Sequence, residues 1–174
     1  MSQRICLGQN YCEWIYAKQK DIYECWSTSF EIVLRNHNIE KNNYDIFKEF
    51  FSCCELYYPS RLSTLTQMEE ILEGKTVNGS DGDLKSLSVK AYYNKPTKFQ
   101  IMYELSNNNP LIILCVAGIE MLHTKVITNV IVKSNYFFDK VESIHVIDPE
   151  LGHMDLDPNQ LLPNIKGFLT IHIF

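Results

Sequence analysis

The sequence predicts an α+β fold, on two observations. The first half of the chain reads mainly as helices and the second mainly as strands rich in Val, Ile and Thr. The length, 174 residues, and the 45% apolar share fit one domain with a single core. The expected layout is one domain over 1–174: a mainly helical half at 1–76, a loop at 77–87, and a mainly β half at 88–174.

In order along the chain, residues 5–19 are rich in aromatic and β-branched types, the composition of a short extended arm or hairpin. Cys25 to Asn38 is an amphipathic helix, because Trp26, Phe30, Val33, Leu34 and His37 fall at i, i+4, i+7, i+8 and i+11. Tyr44 to Tyr58 is a second helix with Ile46, Phe47, Phe50 and Phe51 on one side and Pro59 as a stop. Ser63 to Glu73 is a third, closed by Gly74. Asn78-Gly79-Ser80-Asp81-Gly82-Asp83 has the composition of a surface loop. Ser88 to Tyr93 is a strand, and Thr97 is the N-cap of a helix running to about Ser106, broken by Asn107-Asn108-Asn109-Pro110. Leu111 to Ala117 is continuously apolar, as in a strand buried on both faces. His123 to Lys133, Ile144 to Asp148 and Phe168 to Phe174 are further strands, with a turn at Glu150-Leu151-Gly152 and a short helical turn opened by Asp157-Pro158.

Charge and composition remove several function classes. Lys plus Arg number 16 against 21 Asp plus Glu, a net charge of −5 with no basic run. Such a chain lacks the clustered cations that neutralise nucleic-acid phosphates or hold a protein on an anionic membrane. The longest apolar run is too short to span a bilayer, and Met1 to Asn10 carries no apolar core of a signal peptide. The expectation is a cytoplasmic chain, or one exported without a classical signal.

Six cysteines, at 6, 12, 25, 53, 54 and 115, show no Cys-x-x-Cys pair and no finger-like Cys/His module, so neither a zinc site nor a disulfide framework is expected. Cys53, Cys54 and Cys115 read as core, and Cys12 is not followed by an apolar helix. His145 and His172 read as structural residues inside strands. His153, Asp155 and Asp157 read as a turn with a solvated acidic face, and no metal or cofactor is expected.

Cys25 differs. A cysteine nucleophile needs a populated thiolate, a base, a group that orients the base, and donors for the oxyanion. Cys25 stands at a predicted helix start, where the dipole and unpaired N–H groups favour a thiolate. Gln19, six residues earlier, carries an amide able to donate to an oxyanion beside the Cys25 backbone N–H. His123 opens one strand and Asp148 closes the next. If these strands are antiparallel neighbours, Asp148 reaches the distal nitrogen of His123 and fixes its tautomer. Taken singly, Cys25 reads as core, His123 as structural and Asp148-Pro149 as turn chemistry. Their order along the chain joins them into one mechanism.

Gln19-Lys20-Asp21-Ile22-Tyr23-Glu24-Cys25-Trp26-Ser27-Thr28-Ser29 resembles the Gln-x5-Cys-Trp-x-x-Ser/Ala signature of papain-like cysteine peptidases. Asn109-Pro110-Leu111-Ile112-Ile113-Leu114, His123-Thr124-Lys125-Val126-Ile127 and Val146-Ile147-Asp148-Pro149-Glu150-Leu151-Gly152 are similar to the compact bacterial branch of that family. That branch includes bacteriocin-leader peptidases and the cysteine-protease effectors of plant pathogens. The likeness spans about residues 9–160. It implies a papain-like fold with Cys25 as nucleophile, His123 as general base and acid, Asp148 as orienter and Gln19 as oxyanion donor, acting on a protein or peptide substrate through an acyl-enzyme. Leu122 and Thr124 stand beside His123 where the family often has small residues, and Asn129 where a Gly is common. Two alternatives share the scaffold: a transamidase, deamidase or acyltransferase, and an inactive module that binds a peptide or partner.

Overall fold

The computed structural model describes residues 3–8, 15–20, 24–51, 63–116, 122–134 and 139–174. Cys12, Cys53, Cys54, the stop at Pro59 and the loop at Gly118 lie outside them. The elements are β1 (Gln3–Gly8), α1 (Cys25–Asn36), α2 (Asn43–Ile46) running into a π-turn at Phe47–Phe51, α3 (Ser63–Leu72), β2 (Thr76–Asn78), β3 (Leu84–Tyr92), α4 (Lys98–Ser106), β4 (Leu111–Val116), β5 (Leu122–Ser134), β6 (Asp139–Asp148), β7 (Gly152–Leu156), α5 (Pro158–Leu161) with a 3-10 turn at Leu162–Asn164, and β8 (Ile165–Ile173).

The strands form one antiparallel sheet in the order β2-β3-β8-β4-β5-β6-β7. β5 is long enough to serve two neighbours: residues 122–127 pair with β4 and residues 129–134 with β1. β6 takes its other edge.

Both faces of the sheet are covered, and β4 shows why its sequence reads as a continuous apolar run. Ile112 and Leu114 enter a core with α1, α2 and α3, including Trp26, Phe30, Leu34, Ile46 and Leu65. Leu111, Ile113 and Cys115 enter a second core with Ile101 and Leu105 of α4 and Leu161 of α5. Each fully buried Leu, Ile or Phe contributes about 1.5–3 kcal/mol of transfer free energy, so the two layers hold the sheet from either side.

Several local signals have clear structural counterparts. Thr97 caps α4 in a reciprocal box with Gln100, and Gly74 takes a left-handed φ of 69° just past α3. Other elements differ from expectation. The segment expected as a loop at 77–87 is largely a hairpin of β2 and β3 around Asn78–Asp83. Among the described residues of the expected second helix, Asn43–Ile46 are α-helical and Phe47–Phe51 form the π-turn. Gly152-His153-Met154-Asp155, expected as a turn with a solvated acidic face, lies in β7, with Met154 and Leu156 packed on the second core. α1 is buried nearly all round, its polar residues included, because it lies between the sheet and α2. Among the described residues, no helix is long and apolar enough to cross a membrane.

Candidate active site

α1 begins at Cys25, and its first turn is left open to an anion. The N-cap Glu24 makes no side-chain capping bond, and its carboxylate instead accepts from Lys20 N at 2.9 Å. No acidic residue stands in the first turn. The Cys25 N–H is one of the four that the helix leaves unpaired, and the dipole there favours negative charge.

β5 delivers the base. His123 is the second residue of that strand, and the side chain is only 13% exposed. His123 Nε2–H donates to Asp148 Oδ1 at 2.8 Å. The ring also hydrogen-bonds Cys25. Because Nε2 is taken by Asp148, Nδ1 is the nitrogen that faces the thiol. Cys25, His123 and Asp148 are thus brought together from α1 and from two paired strands, β5 and β6. The next residue, Thr124, is buried and clamps the helix to the strand: Ser29 Oγ bonds Thr124 Oγ1 at 3.0 Å, and both the side chain and backbone of Thr124 hydrogen-bond Cys25.

Asp148 ends β6, and its buried carboxylate is saturated. Oδ1 accepts from His123, from Glu150 N at 2.9 Å and from Leu151 N at 3.2 Å. The two amides make the Asx turn that an Asp-Pro strand end favours, so turn chemistry and the contact to His123 use the same oxygen. Oδ2 accepts from Lys125 Nζ at 2.9 Å. Gly152, at φ 89°, closes the turn opposite Asp148.

Gln19 reaches the same turn by its backbone, donating N–H to Pro149 O at 3.0 Å. Its segment is anchored by buried Ile15 and Ala17 and by Arg35 Nη1, which donates to Tyr16 O at 2.8 Å. The half-buried Gln19 amide has its Oε1 without a hydrogen-bond partner. Gln19 therefore lies beside the Asp148 turn, with its side chain not tied to Cys25, His123 or Asp148.

The electrostatics push thiol and imidazole in opposite directions. Burial raises the Cys25 thiol, but hydrogen bonds from His123 and Thr124 and the charge of His123 outweigh it and bring it below its ordinary value. Burial favours neutral His123, but hydrogen bonds to Asp148 and Cys25 and their charges raise it to about 9. Burial also penalises ionised Asp148, yet His123, Lys125 and the Glu150 amide hold it well below the usual carboxylate range. Both shifts act in the direction of a thiolate beside an imidazolium. Cys115, by contrast, is pushed up to about 11 by burial and stays a thiol.

Sequence reasoning missed Thr124 and Lys125. A signal for Lys125 was present: two residues after His123 on a strand, it projects to the same side. Elsewhere, His145 bonds Asp155 at 2.7 Å and His153 at 3.0 Å, and His172 bonds Glu104 at 2.8 Å. Among the described residues, no group of three or more His, Cys, Asp or Glu is placed to hold a metal ion.

No family model and no curated protein matches the sequence. Solved structures do. The peptidase domain of Streptococcus ComA, a bi-functional ABC transporter involved in a quorum-sensing pathway, aligns over 92% of this chain and 98% of that one, at 8% identity and TM-score 0.51. A double glycine motif protease from an AMS/PCAT transporter, solved in complex with the leader peptide, aligns over 91% and 89%, at 15% identity and TM-score 0.48. At 8% identity the likeness is one of architecture: the chain has the α+β papain-like fold of the ComA peptidase domain.

Proposed function

We propose that this protein is a cysteine peptidase that cleaves a peptide bond in a protein or peptide substrate. The observation that carries the reading is the Cys25–His123–Asp148 hydrogen-bonded chain, with the thiol lowered and the imidazole raised. The fold, shared with a peptidase domain, supports it.

In this reading Cys25 Sγ, as thiolate, attacks the scissile carbonyl carbon. An S–C bond forms and the carbonyl π pair moves to oxygen, where the Cys25 backbone N–H and the Gln19 amide donate to it. His123 Nδ1–H gives its proton to the departing amine as the C–N bond breaks, leaving a thioester. Water then attacks the thioester while His123 takes its proton. The S–C bond breaks to release the acid and the thiolate, and the imidazolium is restored. Asp148 keeps its charge throughout and holds the ring by Nε2.

The test is cleavage of a peptide library, read by mass spectrometry, with wild type and Cys25→Ala. Wild type is expected to cut, and Cys25→Ala to keep the wild-type melting temperature while losing cleavage. Equal cleavage by Cys25→Ala overturns the proposal. A mass change on an intact chain assigns the acyl group to an amine acceptor or to deamidation instead.

A further inference from the structure

Lys125 is a cation against a buried carboxylate on a strand where solvent-facing lysine is the ordinary expectation. Its side chain is 18% exposed, that of Asp148 is 2% exposed, and Nζ lies 2.9 Å from Oδ2. The division of the carboxylate is strict. Oδ1 takes the ring and the two turn amides, and Oδ2 takes Lys125. Without Lys125 one oxygen of a buried carboxylate has no donor among the described residues, which is costly and leaves the group held by Oδ1 alone.

The charges also close. In the thiolate–imidazolium state that the proposed reaction uses, Cys25 and Asp148 carry two negative charges, and His123 and Lys125 two positive ones. Three of these groups alone leave a buried surplus of one negative charge, which disfavours a second anion at sulfur. We infer that Lys125 is a positioning residue for the proposed reaction: it pins the orienting carboxylate by its second oxygen and balances the charge of the thiolate–imidazolium pair. The inference rests on the function proposed above.

The surrounding groups leave Lys125 in that role. From β4, Cys115 feels both Lys125 and Asp148 but is a neutral thiol below about 11. From the segment before α1, Tyr16 is held above its ordinary value by burial and by Asp148, and is neutral at neutral pH. Glu24 is engaged with Lys20, and His153 lies against Tyr16, with ring centroids 5.8 Å apart. From the β6–β7 turn, Glu150 contributes its backbone amide. α5 brings Gln160 and Leu161 near Lys125 and no charge.

The experiment needs no substrate. The rate of Cys25 alkylation by iodoacetamide, followed from pH 4 to 10 with the site verified by mass spectrometry, gives the thiolate onset. NMR titration of the His123 ring gives the second midpoint. Lys125→Met and Lys125→Gln are compared with wild type and with Lys125→Arg. Removing a cation this close is expected to move both midpoints upward by about one pH unit, because the lost charge favoured thiolate and opposed imidazolium. Lys125→Arg leaves both within about 0.3 unit of wild type. Lys125→Gln keeps a donor to Oδ2 without the charge, so it shifts as Lys125→Met does and is the variant to read if Lys125→Met does not fold. Unmoved midpoints in a folded Lys125→Met or Lys125→Gln overturn the inference and leave the proposed nucleophile intact. A wild type whose Cys25 alkylates only above its ordinary range overturns both.

Discussion

Replacing Asp148 by Asn removes one charge from the site while leaving its outline. His123 titrates at about 9 against an ordinary 6.5, a difference of 2.5 units, or ~3 kcal/mol at about 1.36 kcal/mol per unit. Asp148 and Cys25 share that effect, with the Asp148 hydrogen bond the largest favourable cause. Asp148 alone is therefore worth about 1–2 units, or ~2 kcal/mol. In Asp148→Asn the NMR midpoint of the His123 ring should fall to roughly 7–8, so that the ring, almost fully protonated at neutral pH in wild type, is only about half to nine-tenths protonated there. Stability follows with a definite sign. The raised His123 contributes fully below about pH 6.5 and loses its contribution as pH rises through about 9. The depressed Asp148 contributes fully above about pH 4 and loses it as pH falls. The stability gap between wild type and Asp148→Asn, measured by urea unfolding, should be widest between these limits, at ~2–4 kcal/mol because Lys125 loses its partner. A His123 midpoint still near 9 in folded Asp148→Asn refutes the electrostatic reasoning.

Three further outcomes are expected. Thr124→Val removes the acceptor of Ser29 and a hydrogen bond to Cys25, so it should cost ~1–2 kcal/mol in denaturant unfolding and move the onset of Cys25 alkylation to higher pH. Gly152→Ala forces a side chain onto φ 89° with open space around it, so backbone strain alone should lower stability by ~1–2 kcal/mol and loosen the Asp148 turn. Thr97→Ala breaks the capping box of α4. It should cost ~1 kcal/mol by thermal unfolding and leave alkylation of Cys25 unchanged.

What was legible in the sequence followed from local chemistry. Thr97, Gly74 and the start of α1 at Cys25 are marked by residue types whose preferences act within a turn or two. β4 reads as buried on both faces because no other environment tolerates Leu111 to Cys115 without a polar atom. The β2–β3 hairpin was hidden because only Val77 and Leu87 turn inward at its mouth while Thr76, Asn78, Leu84 and Ser86 face out, too few alternations to show a period. β7 was hidden because His153 and Asp155 occupy the positions facing away from the second core and gave it a turn-like polarity. Lys125 was the larger omission. Its partner lies 23 residues further on, and only the pairing of Val126 with Ile147 brings the two together.

The position of β8 has a consequence for how the chain reaches this structure. The last strand lies between β3 and β4, in the middle of the sheet. Until Ile165–Ile173 have been made, β3 and β4 present unpaired edges, and the apolar layers that meet on Phe168, Leu169 and Ile171 stay open. Pairings this distant in sequence close slowly, because the loop entropy is lost before the contacts repay it. The framework that seats Cys25 against His123 is therefore completed late. On a nascent chain the same residue is an ordinary thiol, and the neighbours that lower it are in place only with the finished fold.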